Sequence, residues 1–222
     1  MRKAHRTSCI RCGTCCRKGG PVLHHEDKQI LLHGYAGHRH LMTIRKGELV
    51  FDPAVGMLRP ADRELVKVRG KGPEWSCCFF DEKASVCTIY EHRFLECRLL
   101  KCWDTRALEA VIGENTIART DIINPGDPIV KLIERHEQEC PHQEVQALLA
   151  GLSGEADRPR ILRELAEFVA KDEAVRSYAI SELGLRREFE LFIFGRPLAA
   201  VLRSHGMAVR RSSSSSTGQG RD

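Results

Sequence analysis

The chain predicts an α+β fold, in which a small, loop-rich cysteine domain with short strands and helices precedes a mainly helical C-terminal part. Three observations carry this. Thiols gather into an opening run, Cys9-Ile-Arg-Cys12-Gly-Thr-Cys15-Cys16, and a later group of Cys77, Cys78, Cys87, Cys97 and Cys102. Between them lie short apolar pieces punctuated by glycine and proline, the pattern of small strands and turns. Beyond Gly126, apolar residues recur at helical spacing.

In chain order, Arg17-Lys-Gly-Gly-Pro21 is a loop by composition. His24 to about Leu32 reads as a helix, with Glu26 and Asp27 in its first turn and Ile30 and Leu31 inward. Leu41-Met-Thr-Ile44, Glu48-Leu-Val-Phe51 and Glu64-Leu-Val-Lys-Val68 read as strands separated by Gly47, Pro53, Gly56 and Pro60. Gly70-Lys-Gly-Pro73 is a turn, and Trp75-Ser-Cys-Cys-Phe-Phe80 a further short strand. Tyr90 to about Leu100 and Thr105 to Ile112 favour helices. Asp127 before Pro128 is an N-cap signal, Ile129, Leu132 and Ile133 give the helix an apolar side, and Cys140-Pro141 ends it.

Val145, Leu148, Leu149 and Leu152 mark the next helix, stopped near Gly151 to Gly154. Ile161, Leu165, Phe168 and Val169 stripe another, and Val175, Tyr178, Ala179 and Leu183 a further one. Glu190 to Phe194 reads as a strand, and Pro197 to about Arg203 as a helix. From Gly206 the serine-rich sequence has nothing to bury and is expected to be disordered. The expected division is 1–104 for the cysteine domain, 105–205 for the helical region and 206–222 for the tail. There is no internal repeat, and sequence alone leaves open whether the first two parts share a core.

Composition narrows the function classes. With 42% hydrophobic and 29% charged residues the chain is an ordinary globular protein, while 6% aromatics make the core lean on aliphatic side chains and on metal. No apolar run is long enough to cross a bilayer. The basic opening, Met1-Arg-Lys-Ala-His-Arg, leads into cysteines instead of an apolar secretory stretch, so a cytoplasmic location is expected. In a reducing cytosol clustered thiols serve as metal ligands or redox groups, whereas in a secreted chain the ten would form disulfides. The net charge of +5 is concentrated partly at Arg2, Lys3, Arg6, Arg11, Arg17, Lys18, Arg210 and Arg211. That suits an acidic partner, but without a long basic run or an aromatic-interleaved patch it disfavours nucleic-acid binding.

The chemistry lies in the sulfurs. Two residues between cysteines let successive thiolates converge on one point, around a soft metal or an iron–sulfur core. Cys9, Cys12 and Cys15 match the first three ligands of a ferredoxin-like four-iron run, with Cys97 or Cys102 as a remote fourth. A Cys9-x2-Cys12 knuckle joined to two later thiols serves a tetrahedral zinc site as well. Both options stand, with an iron–sulfur cluster or iron preferred and zinc as the alternative. Adjacent Cys15 and Cys16 diverge in an extended backbone. Cys97 and Cys102 lie about 140° apart around an ideal helix, and share a centre only if the helix ends between them.

Arg93 and Arg98 either offset thiolate charge or are ordinary surface arginines. His24, His25, His38 and His40 are expected to be exposed, and Glu91 and Glu96 to be bases or surface carboxylates. Cys140 reads as a small buried apolar residue. No nucleophile–base pair, phosphate loop, dinucleotide fingerprint or S-adenosylmethionine site is readable, so enzymatic activity stays open.

The order Cys-x2-Cys-Gly-x-Cys-Cys, then Cys-x-Phe-Phe, then Cys87-Thr-Ile-Tyr90-Glu-His-Arg93, then Cys97-Arg98 and Cys102 resembles the YkgJ-type CxxCxxCC cysteine-cluster family, described as zinc- or iron-chelating. The resemblance spans about residues 9–102. It implies metal binding by Cys9, Cys12, Cys15, Cys16, Cys77, Cys87, Cys97 and Cys102, as one four-thiolate centre with supporting cysteines or as two neighbouring centres. A similar domain in flagellin lysine methylases is associated with an iron–sulfur cluster.

Two departures stand out. Arg93-Phe94 replaces the family's Arg-Pro, which leaves the start of the following helix undetermined. Cys77-Cys78 also offers two thiols where one is needed. Phe79-Phe80 fits the family pattern better with Cys77, which puts Cys78 on the opposite side of a strand. The functions expected are an iron or iron–sulfur centre in a redox or group-transfer protein, or a non-catalytic zinc-stapled adaptor whose helical part binds a protein partner. A metal-handling protein that passes iron or zinc onward is the third.

Overall fold

The structure, a computed structural model, describes residues 9–52, 56–152 and 157–207. The basic residues Arg2, Lys3, Arg6, Arg210 and Arg211, the turn at Pro53, Gly154 and the serine-rich tail from residue 208 lie outside them.

The cysteine-bearing part is built from very short elements. Helix α1 (Thr14–Arg17) carries the end of the opening run, and a 3-10 turn (His25–Asp27) leads into α2 (Lys28–Leu32). Strand β1 (Leu41–Ile44) is followed by the hairpin β2 (Leu49–Asp52) and β3 (Met57–Pro60), then by β4 (Leu65–Val68). β1 and β4 pair antiparallel, Leu41 opposite Val68 and Ile44 opposite Leu65. β3 is exposed at all four positions, so no alternation marked it in the sequence. The free edge of β4 is covered by irregular chain: Leu23 N donates to Val66 O (2.8 Å), Val68 N to Pro21 O (2.9 Å) and Val66 N to Ile117 O (3.2 Å).

The single strand expected over 75–80 is two. Strand β5 (Gly70–Lys71) pairs with β6 (Ser76–Cys77), and β7 (Phe80–Asp81) with β8 (Val86–Cys87). The chain turns between β6 and β7, which separates the surroundings of Cys77 from those of Cys78. The helix expected from Tyr90 is also interrupted. A 3-10 turn (Tyr90–His92) and an extended Arg93 precede α3 (Leu95–Leu99), after which comes α4 (Arg106–Glu109).

The second half is helical. Asp127 caps α5 (Pro128–Glu139) through Ile129 N (2.9 Å), with Pro128 at the first position. Next come α6 (His142–Gly151) and α7 (Arg158–Ser181). The two helices expected over 161–183 are this one, because Asp172 continues the buried stripe as a polar member. It accepts from His136 Nε2 (2.6 Å), Arg176 Nε (3.0 Å) and Leu198 N (2.9 Å). The strand expected at 190–194 is instead helix α8 (Glu190–Phe194). Its Phe192, Ile193 and Phe194 are all buried, and Gly195 at φ +68° follows it. Helix α9 (Leu198–Ser204) completes the described chain. Among the described residues no helix is long and apolar enough to cross a membrane.

The two parts share a core. Leu23, Leu41, Val66, Val68, Phe80 and Phe94 pack in one cluster with Ile129, Ile133, Val175, Ala179 and Phe192. A second cluster joins Cys140 and Val145 to Ile161, Leu165, Val169, Leu198 and Leu202. A buried ion network fastens the strands to α5. Glu137 accepts from Arg45 Nε (2.8 Å) and from Arg119 Nη2, and both guanidiniums are fully buried.

Candidate metal centre

Eight of the nine cysteines of the opening run and the later group line one cavity of about 210 Å3. Cys9, Cys12, Cys15 and Cys102 are exposed, Cys16, Cys87 and Cys97 half-buried, and Cys77 buried. All ten cysteines of the chain are free thiols. Cys78 lies outside this cavity, its sulfur 3.8 Å from His40 O, and Cys140 is buried in the second core cluster.

Each thiol is placed by a local device. Gly13 stands at the N-cap of α1 with φ +75°, a left-handed conformation that favours glycine. A Cβ there would run into the Phe80 ring. Cys15 and Cys16 therefore sit on a helical turn, not an extended strand, with their sulfurs 4.0 Å apart, and both reach the cavity wall. Arg17 Nη1 donates to Cys12 O (3.0 Å), and the guanidiniums of Arg11 and Arg93 stack on Tyr90 at 3.9 and 3.8 Å from the ring centre. Cys87 stands opposite Phe80 in the β7–β8 pair, and Cys77 opposite Gly70. Because α3 stops at Leu99, Cys97 and Cys102 both reach the cavity.

The start of α3, uncertain where phenylalanine replaces proline, is fixed by two groups. Phe94 is its N-cap residue and is buried in the core. Asp27, buried, accepts from Leu95 N (2.8 Å) and His24 N (3.0 Å), so a carboxylate from a distant turn caps the helix. Burial pushes the Asp27 carboxyl up against those two hydrogen bonds.

Several polar residues differ from the sequence expectation. His24 is buried, with Nδ1 2.8 Å from Glu114 O and Nε2 3.4 Å from Glu96 Oε1, while His25 is exposed. Glu96 is no surface carboxylate. It accepts from Val22 N (2.9 Å), lines the cavity, and burial pushes its pKa up. His38 and His40 are half-buried against Phe192 and Phe79. Glu91 is exposed, 4.0 Å from Arg11. Arg93 lines the cavity, and Arg98 instead donates to Arg93 O (2.7 Å). The one sequence cue to the buried tie was Asp27, three residues after His24, a capping spacing.

The sulfurs feel one another. A hydrogen bond with the Cys16 thiol lowers Cys15 to about 6 and raises Cys16. Burial, then the neighbouring Cys77, Cys15 and Cys87, push Cys97 up, and burial does the same to Cys87. The Cys78 thiol and burial raise Cys77, whereas the Thr14 hydroxyl lowers Cys12. Cys77, Cys87 and Cys97 form the inner set, Cys15 and Cys16 lie within electrostatic reach of it, and Cys9, Cys12 and Cys102 form the exposed mouth. Among the described residues no three His, Cys, Asp or Glu side chains are drawn together closely enough to hold one ion. Rotation about χ1 re-aims each sulfur between staggered positions. An all-thiol donor set in an otherwise largely apolar wall fits soft metals and iron–sulfur cores.

The fold and the cavity define a cysteine-cluster protein with a metal-binding class of donor. Residues 8–116 match the CxxCxxCC family, described as a putative zinc- or iron-chelating domain. The match ends beyond Cys102, where residues 115–117 pair with His25, Leu23 and β4. No curated protein and no solved structure matches the chain.

Proposed function

We propose that the eight-thiol cavity holds an iron–sulfur centre in a cytoplasmic protein with a redox or group-transfer role. The observation that carries this reading is that eight cysteines stand in the wall of one cavity. Eight thiols are more donors than one tetrahedral ion takes, since four thiolates close its coordination. Cys15, Cys77, Cys87 and Cys97 would hold the centre. Cys16 stands beside them, and Cys9, Cys12 and Cys102 either close the mouth or hold a second centre. Such a group supplies one-electron chemistry at a potential set by nearby charge, hydrogen bonds and exposure. Arg11 and Arg93, stacked on Tyr90, place positive charge beside the sulfurs. In this division residues 1–104 carry the centre, and residues 105–205 buttress it and offer surface to a protein partner.

Anaerobic purification should give a brown protein containing iron and acid-labile sulfide. A colourless protein with stoichiometric zinc overturns the reading. That outcome would favour a zinc-stapled adaptor, which one observation supports: the strands bearing Cys77 and Cys87 are two residues long, too short to hold their loops by themselves. A structural zinc supplies that cohesion, and a chelator would unfold the protein.

A further inference from the structure

Beside the thiol cavity lies a second, larger one of about 610 Å3, and the two share Gly19, Gly20, Glu96 and Leu108. Its size is that of a small-molecule site, and its walls are mostly apolar, with Val22, Met42, Ile44, Leu65 and Trp75 among them. The anomaly is Lys67. Along β4 the side chains alternate, Val66 and Val68 fully buried in the core and Leu65 and Lys67 on the cavity face. Met42 pairs with Lys67 on one edge of the strand, and Val22 bridges to it on the other. A lysine thus sits mid-sheet between two covered edges.

Among the described residues the Lys67 ammonium donates to no acceptor and has no carboxylate within ion-pair distance. The carboxylates lining the cavity are engaged elsewhere, Asp62 with the neighbouring Arg63 (3.5 Å). Glu48 accepts from Arg196 Nε (2.6 Å) and Arg45 N (3.1 Å), and Glu96 accepts from Val22 N (2.9 Å) and faces His24. Burial pushes Lys67 below the usual lysine range, as Arg196 also does. Glu96, Cys77 and Glu48 work in the other direction. An unpaired cation in a partly desolvated site is unfavourable until an anion arrives. The apolar walls select what the rest of that anion is made of.

We propose that this second cavity binds a small organic oxyanion, a carboxylate or phosphate carried on an apolar body, with Lys67 as its charged anchor. The ligand would lie against Gly19 and Gly20, whose other side faces the thiols. A Cβ at Gly19 would stand 3.9 Å from Lys67 Nζ, which places this glycine in van der Waals contact range of the anchor.

Calorimetric titration of the full chain at neutral pH with hexanoate, hexyl phosphate and hexylamine tests the site. Lysine acetylation by limiting reagent, read peptide by peptide with and without each probe, runs beside it. At least one anion should bind and shield Lys67 while leaving the exposed Lys131 reactive, and hexylamine should do neither. The tighter of the two anions identifies the headgroup. Lys67→Met should weaken that anion on the order of tenfold or more, the scale of a lost hydrogen bond to a charged group, and Lys67→Arg should retain it. Metal content should be the same in both variants, which separates this site from the thiol centre. Should Lys67→Met fail to fold, the wild-type labelling decides. Binding by neither anion, equal binding of hexylamine, or unchanged Lys67 labelling overturns the proposal.

Discussion

Replacing Glu137 by glutamine tests how the cysteine-bearing part is fastened to the helices. Glu137 on α5 accepts from Arg45, which follows β1, and from Arg119, and both guanidiniums are fully buried. The glutamine keeps a similar shape and one acceptor oxygen but removes the charge that compensates two buried cations. Breaking a buried pair costs about 3–5 kcal/mol. Here the cost is reduced, because Glu137 is itself one-third exposed and each arginine keeps another acceptor, Cys140 O for Arg45 and Glu64 for Arg119. The expected loss is therefore about 2–3 kcal/mol, a fall of about 4–12 °C in Tm for a chain of this size. Denaturant titration of the two proteins at equal metal content measures it.

The same change alters the acid limb. Burial works to raise the Glu137 pKa, but Arg45 and Arg119 outweigh it and hold it below the ordinary value. A carboxylate with a depressed folded pKa contributes stability above its unfolded pKa, about 4.3, and loses it as pH falls through the folded value. Glu137→Gln should therefore flatten the decline in stability below about pH 5. A loss under about 0.5 kcal/mol, the scale of an ordinary surface substitution, refutes the argument that this network joins the two parts.

Three further outcomes follow from the thiol cavity. Cys97→Ser should sharply lower bound metal by elemental analysis and Cys12→Ser should lower it by the share of a second centre, whereas Cys140→Ser, in a separate core cluster, should leave it unchanged. Gly13→Ala should cost about 1–3 kcal/mol by overpacking against Phe80 and should reduce metal retention, read by denaturation and metal stoichiometry. Because Cys97, Cys87 and Cys77 are all pushed up, they are protonated at neutral pH before loading, and uptake must release those protons. Affinity should rise with pH, about tenfold per unit for each proton released, in a competition titration against a chelator. A flat profile contradicts thiolate ligation by these residues.

The strongest local signals in the sequence translated directly. Asp127-Pro128 starts α5, and Leu41 to Ile44 and Leu65 to Val68 form a strand pair. Signals failed where tertiary packing overrides a local pattern. Leu191 to Phe194, after Glu190, is a continuous apolar run, which periodicity cannot assign to strand or helix, and burial between neighbours settles it as α8. α7 looked interrupted because its stripe passes through Asp172, whose partners His136 and Leu198 are distant in sequence. His24 and Glu96 looked exposed for the same reason, since each is buried by a partner about seventy residues away. At the cavity, the order of the cysteines brought out all eight lining thiols, while their inner and outer ranks depend on how α1, β6, β8 and α3 converge.

The cavity wall draws its first sulfur from residue 9 and its last from residue 102. During synthesis the ribosome must deliver the earliest thiols long before their counterparts emerge. Cys9, Cys12, Cys15 and Cys16 thus spend that interval as nascent-chain nucleophiles open to oxidants and stray cations. Protection of the enclosure comes only with translation of the ninety or so residues from the first sulfur to the last.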